Sequence, residues 1–151
     1  MIVKLVNSPD FRDMMQAHLK DMIAFLLDEG LAFGLLCNIE HVDFDPPLPS
    51  ELYEQLPSVT LFMIAGYTFE SFELSERKIY FEAGFGPQNF GSVVSMPILA
   101  VLQVIVEETP LLINMALPQE TEEIQKEKPG EKSSMEAFLS NPENRKFIKK
   151  S

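Results

Sequence analysis

The chain has 151 residues, 46% of them hydrophobic and 12 of them phenylalanine, which suits one domain with a sizeable core. No run approaches the roughly 18–20 apolar residues that cross a bilayer, and the single cysteine, Cys37, excludes an intrachain disulfide and fits a reducing, cytoplasmic location. Residues 1–118 hold 16 Asp/Glu against 5 Lys/Arg, whereas 119–151 hold 7 of each; the acidic body lacks the basic face that direct nucleic-acid binding requires.

Residues 1–6 are too short for a signal peptide and run straight into Asn7-Ser8-Pro9. Ser8 is an N-cap, Pro9 suits the first helical position and Asp10 complements the dipole. Phe11, Met14/Met15, Leu19, Met22/Ile23 and Leu26/Leu27 then recur at helical spacing up to Gly30, the stop signal. The apolar stripe is wide. It serves either the helix's own core alone or, in addition, a second copy of the chain.

Residues 31–39 read as an apolar strand and 40–45 as its alternating continuation; Asp45-Pro46-Pro47-Leu48-Pro49-Ser50 is loop. Residues 51–56 fit one helical turn or an irregular strand equally. A strand follows over 59–65, broken by Gly66, and another, half-buried, over 69–74. A charged turn at 75–78 leads into a strand over 79–85, which 92–96 pairs back on across a Gly/Pro-rich reversal. Pro97 opens a short helix to residue 106, apolar nearly all round and therefore buried. Thr109-Pro110 ends it, and 111–117 forms a closing strand. The expected fold is mainly β (α+β by content): a small, partly open SH3/Sm-like barrel of about six to seven strands, with a long N-terminal helix, a short buried helix and a flexible C-terminal tail.

Bond-making groups are scarce. The stretch 79–102 has no His, Cys or Lys and one carboxylate, Glu82, which suits a surface that holds something. His18 and His41 fall in different elements and Cys37 inside an apolar strand, so no nucleophile pair or metal site is predicted, and no cofactor. Gly84-Phe85-Gly86 lacks the lysine of a phosphate loop. Composition then shifts: 119–132 has one large apolar residue, Ile124, and reads as linker. Ser133–Leu139 has capping-box spacing, and the end, Arg145-Lys146-Phe147-Ile148-Lys149-Lys150, sets two large apolar residues between basic pairs. That end is either a solvated basic tail or a peptide with a partner. The chain divides into 1–118, a linker over 119–144 and a terminal peptide over 145–151.

Taken in order, Phe25-Leu26-Leu27-Asp28-Glu29-Gly30-Leu31, Phe72-Glu73-Leu74, Ile79-x-Phe81-x-Ala83-x-Phe85-Gly86 and Val94-Ser95-Met96-Pro97-Ile98-Leu99 resemble the bacterial stringent starvation protein B family. Members of that family are adaptors that hand tagged proteins to the ClpXP protease. The likeness spans residues 15–117, is poor over 42–56, and departs at Gly84 and Pro87, where the family typically has a basic residue and glycine. It implies a domain that binds the ssrA tag of stalled translation products, with Met63, Ile64, Ala65, Phe81, Ala83 and Phe85 as candidate contacts. About half of any barrel strand's residues must point inward instead. It further implies a ClpX-docking peptide at Arg145, Lys146, Phe147, Ile148, Lys149 and Lys150, and a homodimer through the N-terminal helix, with neither membrane nor direct nucleic-acid partners and no enzymatic activity. The alternative class is a secretion-type chaperone, also small, acidic and specific for extended polypeptide.

Overall fold

A computed structural model describes residues 1–118. The linker and the terminal peptide expected over 119–144 and 145–151 lie outside the described residues.

A short helix, α1 (Ile2–Val6), precedes α2 (Pro9–Glu29), whose ends follow from local chemistry. Ser8 Oγ accepts the Phe11 N–H at 3.2 Å, and Pro9 occupies the first turn. Gly30 closes the helix at φ +70°, a left-handed position that costs glycine little, and the Gly30 and Leu31 amides return to Leu27 and Leu26. Met15, Leu19, Ile23 and Leu26 form the buried face, each worth about 1.5–3 kcal/mol when fully removed from water.

Eight strands follow: β1 (Phe33–Asn38), β2 (Asp43–Asp45), β3 (Val59–Ile64), β4 (Glu73–Leu74), β5 (Lys78–Phe85), β6 (Phe90–Pro97), β7 (Val101–Val106) and β8 (Thr109–Ile113). They form two antiparallel four-stranded sheets, ordered β3-β1-β7-β8 and β2-β6-β5-β4. Helices α3 (Ser50–Glu54) and α4 (Gly66–Ser71) sit in the connections. Inward-pointing residues of both sheets share one core with α2. Phe62 of β3 meets Phe81 of β5 edge to face at 5.6 Å, and the Cys37 and Met96 sulfurs lie 3.5 Å apart.

The structure departs from the sequence reading in four places. Residues 40–45, read as a continuation of the first strand, begin in a 3-10 turn over Ile39–His41 and end in β2, which belongs to the other sheet. The buried helix expected after Pro97 is absent: Pro97 ends β6, one 3-10 turn (Ile98–Ala100) is buried, and Val101–Val106 is strand β7. Val101, Val104, Ile105 and Val106 are β-branched, and flanking strands on both sides favour the extended form. Thr109-Pro110, expected to end that helix, instead opens β8, the edge strand, where a residue without an N–H is tolerated. The half-buried strand expected over 69–74 is mostly α4, with only Glu73–Leu74 extended. The strand count rises to eight, in two four-stranded antiparallel sheets.

Beyond β8 the exposure still alternates, and Asn114 fixes the segment. Its buried Nδ2 donates to the carbonyls of Val101 and Ala116 at 3.0 and 2.9 Å, and its Oδ1 accepts the Ala116 N–H at 2.8 Å.

The β7–β8 connection is a two-residue turn with both members at positive φ, Glu107 at +51° and Glu108 at +74°. Such turns match strand twist, but they favour Asn-Gly over glutamate. The double substitution Glu107→Asn, Glu108→Gly is expected to stabilise the domain by about 1 kcal/mol. A higher urea midpoint at unchanged slope checks this; an unchanged or lower midpoint contradicts it.

Candidate functional site

A groove of about 530 Å³ opens where α4 meets the second sheet. Its first wall is the exit of β3 into α4: Ala65, Tyr67 and Thr68. Gly66 at φ +59° makes that reversal possible. Glu82, Ala83 and Gly84 of β5 form the opposite wall, with Gly91, Ser92 and Val93 of β6 alongside. Asp45 and Pro46 close one end, where the buried Ser92 hydroxyl donates to the Pro46 carbonyl at 2.9 Å.

Two hydrogen bonds fix α4 against β5, and a third orients Ser71 within α4. The Tyr67 hydroxyl donates to Glu82 Oε1 at 2.7 Å, and the Glu82 N–H donates to Ser71 Oγ at 2.9 Å. Ser71 in turn donates to the Thr68 carbonyl at 2.9 Å. On the core side Phe69 and Phe72 pack on Phe33, and Phe72 stacks on Phe81.

The edge of β5 along this groove is open. β4 pairs only with Ile79 and Tyr80, so among the described residues no strand covers Glu82–Gly84 on that side. Alternation of ladder bonds aims the same edge with Glu82 and Gly84, as the Glu82–Ser71 bond confirms. Gly84 lies opposite Gly91 across the hairpin, leaving bare backbone. A Cβ at Gly84 would overlap Asn89 Oδ1, which lies over it, whereas one at Gly91 would meet open space.

The lining carries two carboxylates, Asp45 and Glu82, and no lysine or arginine. The Tyr67 phenol is held above its ordinary range, chiefly because it donates to Glu82, then by the charges of Glu82 and Glu70. Such a lining receives neutral or basic groups and repels acidic ones.

The sequence-predicted contacts divide. Ala65 and Ala83 line the groove from opposite walls. Ile64 and Phe81 are fully buried in the core. Met63 is exposed on the far face of the other sheet, and Phe85 packs edge to face on Phe44 at 5.5 Å, outside the lining. Sequence reasoning missed Tyr67, Glu82 and Asn89 as lining residues. The near-mirror order Gly84-Phe85 … Phe90-Gly91 around the turn was the available signal for the bare backbone. Arg145, Lys146, Phe147, Ile148, Lys149 and Lys150 lie outside the described residues.

Cys37 is fully buried, and burial raises its thiol far above the ordinary range. His18 is exposed on α2, while His41 Nε2 lies 3.5 Å from Glu40. Among the described residues no three His, Cys, Asp or Glu side chains are placed to hold a metal ion, and no helix is long and apolar enough to cross a membrane. No protein-family model matches the chain, and no curated protein matches it.

Glu82→Gln removes both the acceptor's charge and the repulsion of a tyrosinate. Tyr67 is therefore expected to ionise at lower pH in that variant than in the wild type. Ultraviolet titration against a Tyr67→Phe reference checks this; an unchanged Tyr67 midpoint contradicts it.

Proposed function

We propose that the chain is a proteolysis adaptor that binds ssrA-tagged polypeptides and tethers them to the ClpX unfoldase, enhancing degradation by ClpXP. The observation that carries this reading is the β5 edge at Glu82–Gly84, where no described strand pairs although Ser71 Oγ takes the Glu82 N–H, facing Ala65 and Tyr67 across an open groove. An extended peptide adds to such an edge by main-chain hydrogen bonds, and small residues at Ala65, Ala83 and Gly91 let its backbone approach closely. Ile64 and Phe81 support the groove from the core, while Met63 and Phe85 lie outside its lining. In this reading the two sheets form a partly open SH3/Sm-like barrel with the groove at its open seam.

Arg145, Lys146, Phe147, Ile148, Lys149 and Lys150 form the ClpX-docking peptide, and residues 119–144 the linker. Two weak contacts joined by a linker raise the local concentration of tagged substrate to roughly millimolar, so delivery improves without bond-making chemistry. The adaptor works in the cytoplasm as a homodimer, expected through the N-terminal helix, whose outward side exposes Met14 and Phe25.

The test pairs binding with delivery. A fluorescent ssrA-type peptide is titrated into the full-length protein, into a version lacking residues 145–151, and into Gly84→Val. ClpXP degradation of a tagged substrate is measured beside each. Truncation should leave peptide binding unchanged and abolish stimulation, and Gly84→Val should weaken peptide binding about tenfold by displacing Asn89. Absent peptide binding, or stimulation that survives truncation, contradicts the adaptor. Binding of extended polypeptide without any stimulation favours the secretion-type chaperone instead.

A further inference from the structure

Three side chains stand in one row across the outward face of the sheet β2-β6-β5-β4. Asp45 of β2 lies opposite Val93 of β6, and Val93 lies opposite Glu82 of β5. Facing partners in neighbouring strands put their side chains on the same side of a sheet. All three are exposed, whereas their strand neighbours Phe81, Ser92 and Val94 are buried. The row therefore runs carboxylate, isopropyl, carboxylate, and all three residues line the groove. Strands about 4.8 Å apart separate the Asp45 and Glu82 backbones by roughly 10 Å. Val93, 38% exposed, is the apolar floor between the two anions. In the next row along β6 a Cβ at Gly91 would meet open space, so another main chain can lie against the sheet there.

No described residue supplies the counter-charge. Glu82 commits one oxygen, Oε1, which accepts from the Tyr67 hydroxyl at 2.7 Å. Among the described residues, its Oε2 and both carboxylate oxygens of Asp45 have neither a hydrogen bond nor an ion pair. Lys78, the one basic residue in the strands of this sheet, stands four residues along β5 from Glu82. That is about 13 Å at the rise of a strand, beyond a Debye length at physiological salt.

We propose that the groove selects an extended segment bearing an arginine or lysine, whose aliphatic stem lies on Val93 and whose cation sits between Asp45 and Glu82. Long basic side chains cover apolar surface with their stems while holding the charge at a polar rim, and this row offers both. The main chain of the same segment runs over the open position at Gly91, one row away, from which a long side chain reaches Val93. A carboxylate in that place meets two like charges, and a neutral side chain leaves both unanswered. Selection thus combines attraction for one class of side chain with repulsion of another. This preference rests on the reading of the groove as a receptor for an extended peptide, and it applies to a tag or to any other client.

A fluorescent ssrA-type peptide, with each position in turn made Arg, Gln or Glu, is titrated into the full-length protein at low and at physiological salt. At one position Arg should bind about tenfold tighter than Glu, with Gln between, and the ratio in the wild type should fall as salt rises. Asp45→Asn and Glu82→Gln should each cut that ratio about threefold, and Asp45→Lys should reverse the order. Glu107→Gln, which removes the same charge from an exposed turn of the other sheet, should leave it unchanged. Equal affinities for Arg and Glu at every position overturn the proposal and leave the tag reading standing. An Arg preference spread evenly over all positions, or weakened as much by Glu107→Gln as by Asp45→Asn, is general attraction to an acidic body and also overturns it. Binding of Arg peptides alone, with the unsubstituted tag unbound, upholds this preference and sinks the tag reading. No binding by any peptide overturns both.

Discussion

Phe81 is the contact on which the rest of the domain depends. It is fully buried, stacks on Phe72 at 5.8 Å with rings nearly parallel, and meets Phe62 edge to face at 5.6 Å. Phe72 continues to Phe33, and Phe33 to Phe69. Offset-stacked and edge-to-face pairs each contribute about 0.5–1.5 kcal/mol beyond the area they bury. One aromatic column thereby joins β5 to β3, β1 and α4. It fixes the distance between the two sheets and sets α4 beside β5. Ser71 and Tyr67 then bond to Glu82 because Phe69 and Phe72 already hold their helix in place.

The same constraint leaves β5 half covered. β4 is two residues long because α4 occupies the sequence before it, so strand pairing stops at Tyr80 and Glu82–Gly84 line a groove. Strand edges left open invite another chain, and folds ordinarily cover or charge them. Here Glu82 and Tyr67 restrict that edge without closing it. The other sheet shows the opposite choice, with edges and outer face free of charge. One sheet thus has an acidic groove, and the strands of the other hold no charged residue.

Legibility varied with how local the determining forces were. Helix α2 was readable at both ends because Ser8, Pro9 and Gly30 act within one turn of the chain. The β5–β6 hairpin was readable because Gly86 and Asn89 supply the positive φ angles its loop needs. β7 was not. Pro97 suits a helix start, the following run is apolar at every position but Gln103, and the turn that separates β7 from β8 uses two glutamates where glycine or asparagine is usual. Only pairing with β1 and β8 decides that segment, and pairing is not visible in a single sequence. For the candidate site, Ala65 and Ala83 were found, but their strand neighbours Ile64 and Phe81 belong to the core, as the period of two requires. Tyr67 was missed because residues 69–74 read as a strand, which hides the helix that carries it over Glu82.

The central claim is that the β5 edge and the start of α4 form a receptor for an extended peptide. Backbone amide NMR of the full-length protein, titrated with an ssrA-type peptide, tests it most directly. The account predicts saturable shifts at Ala65, Tyr67, Glu82, Ala83, Gly84 and Gly91, with Leu61 and Ile113 unmoved. Shifts confined to the outer face of β3 and β8, or none at saturating peptide, would contradict it.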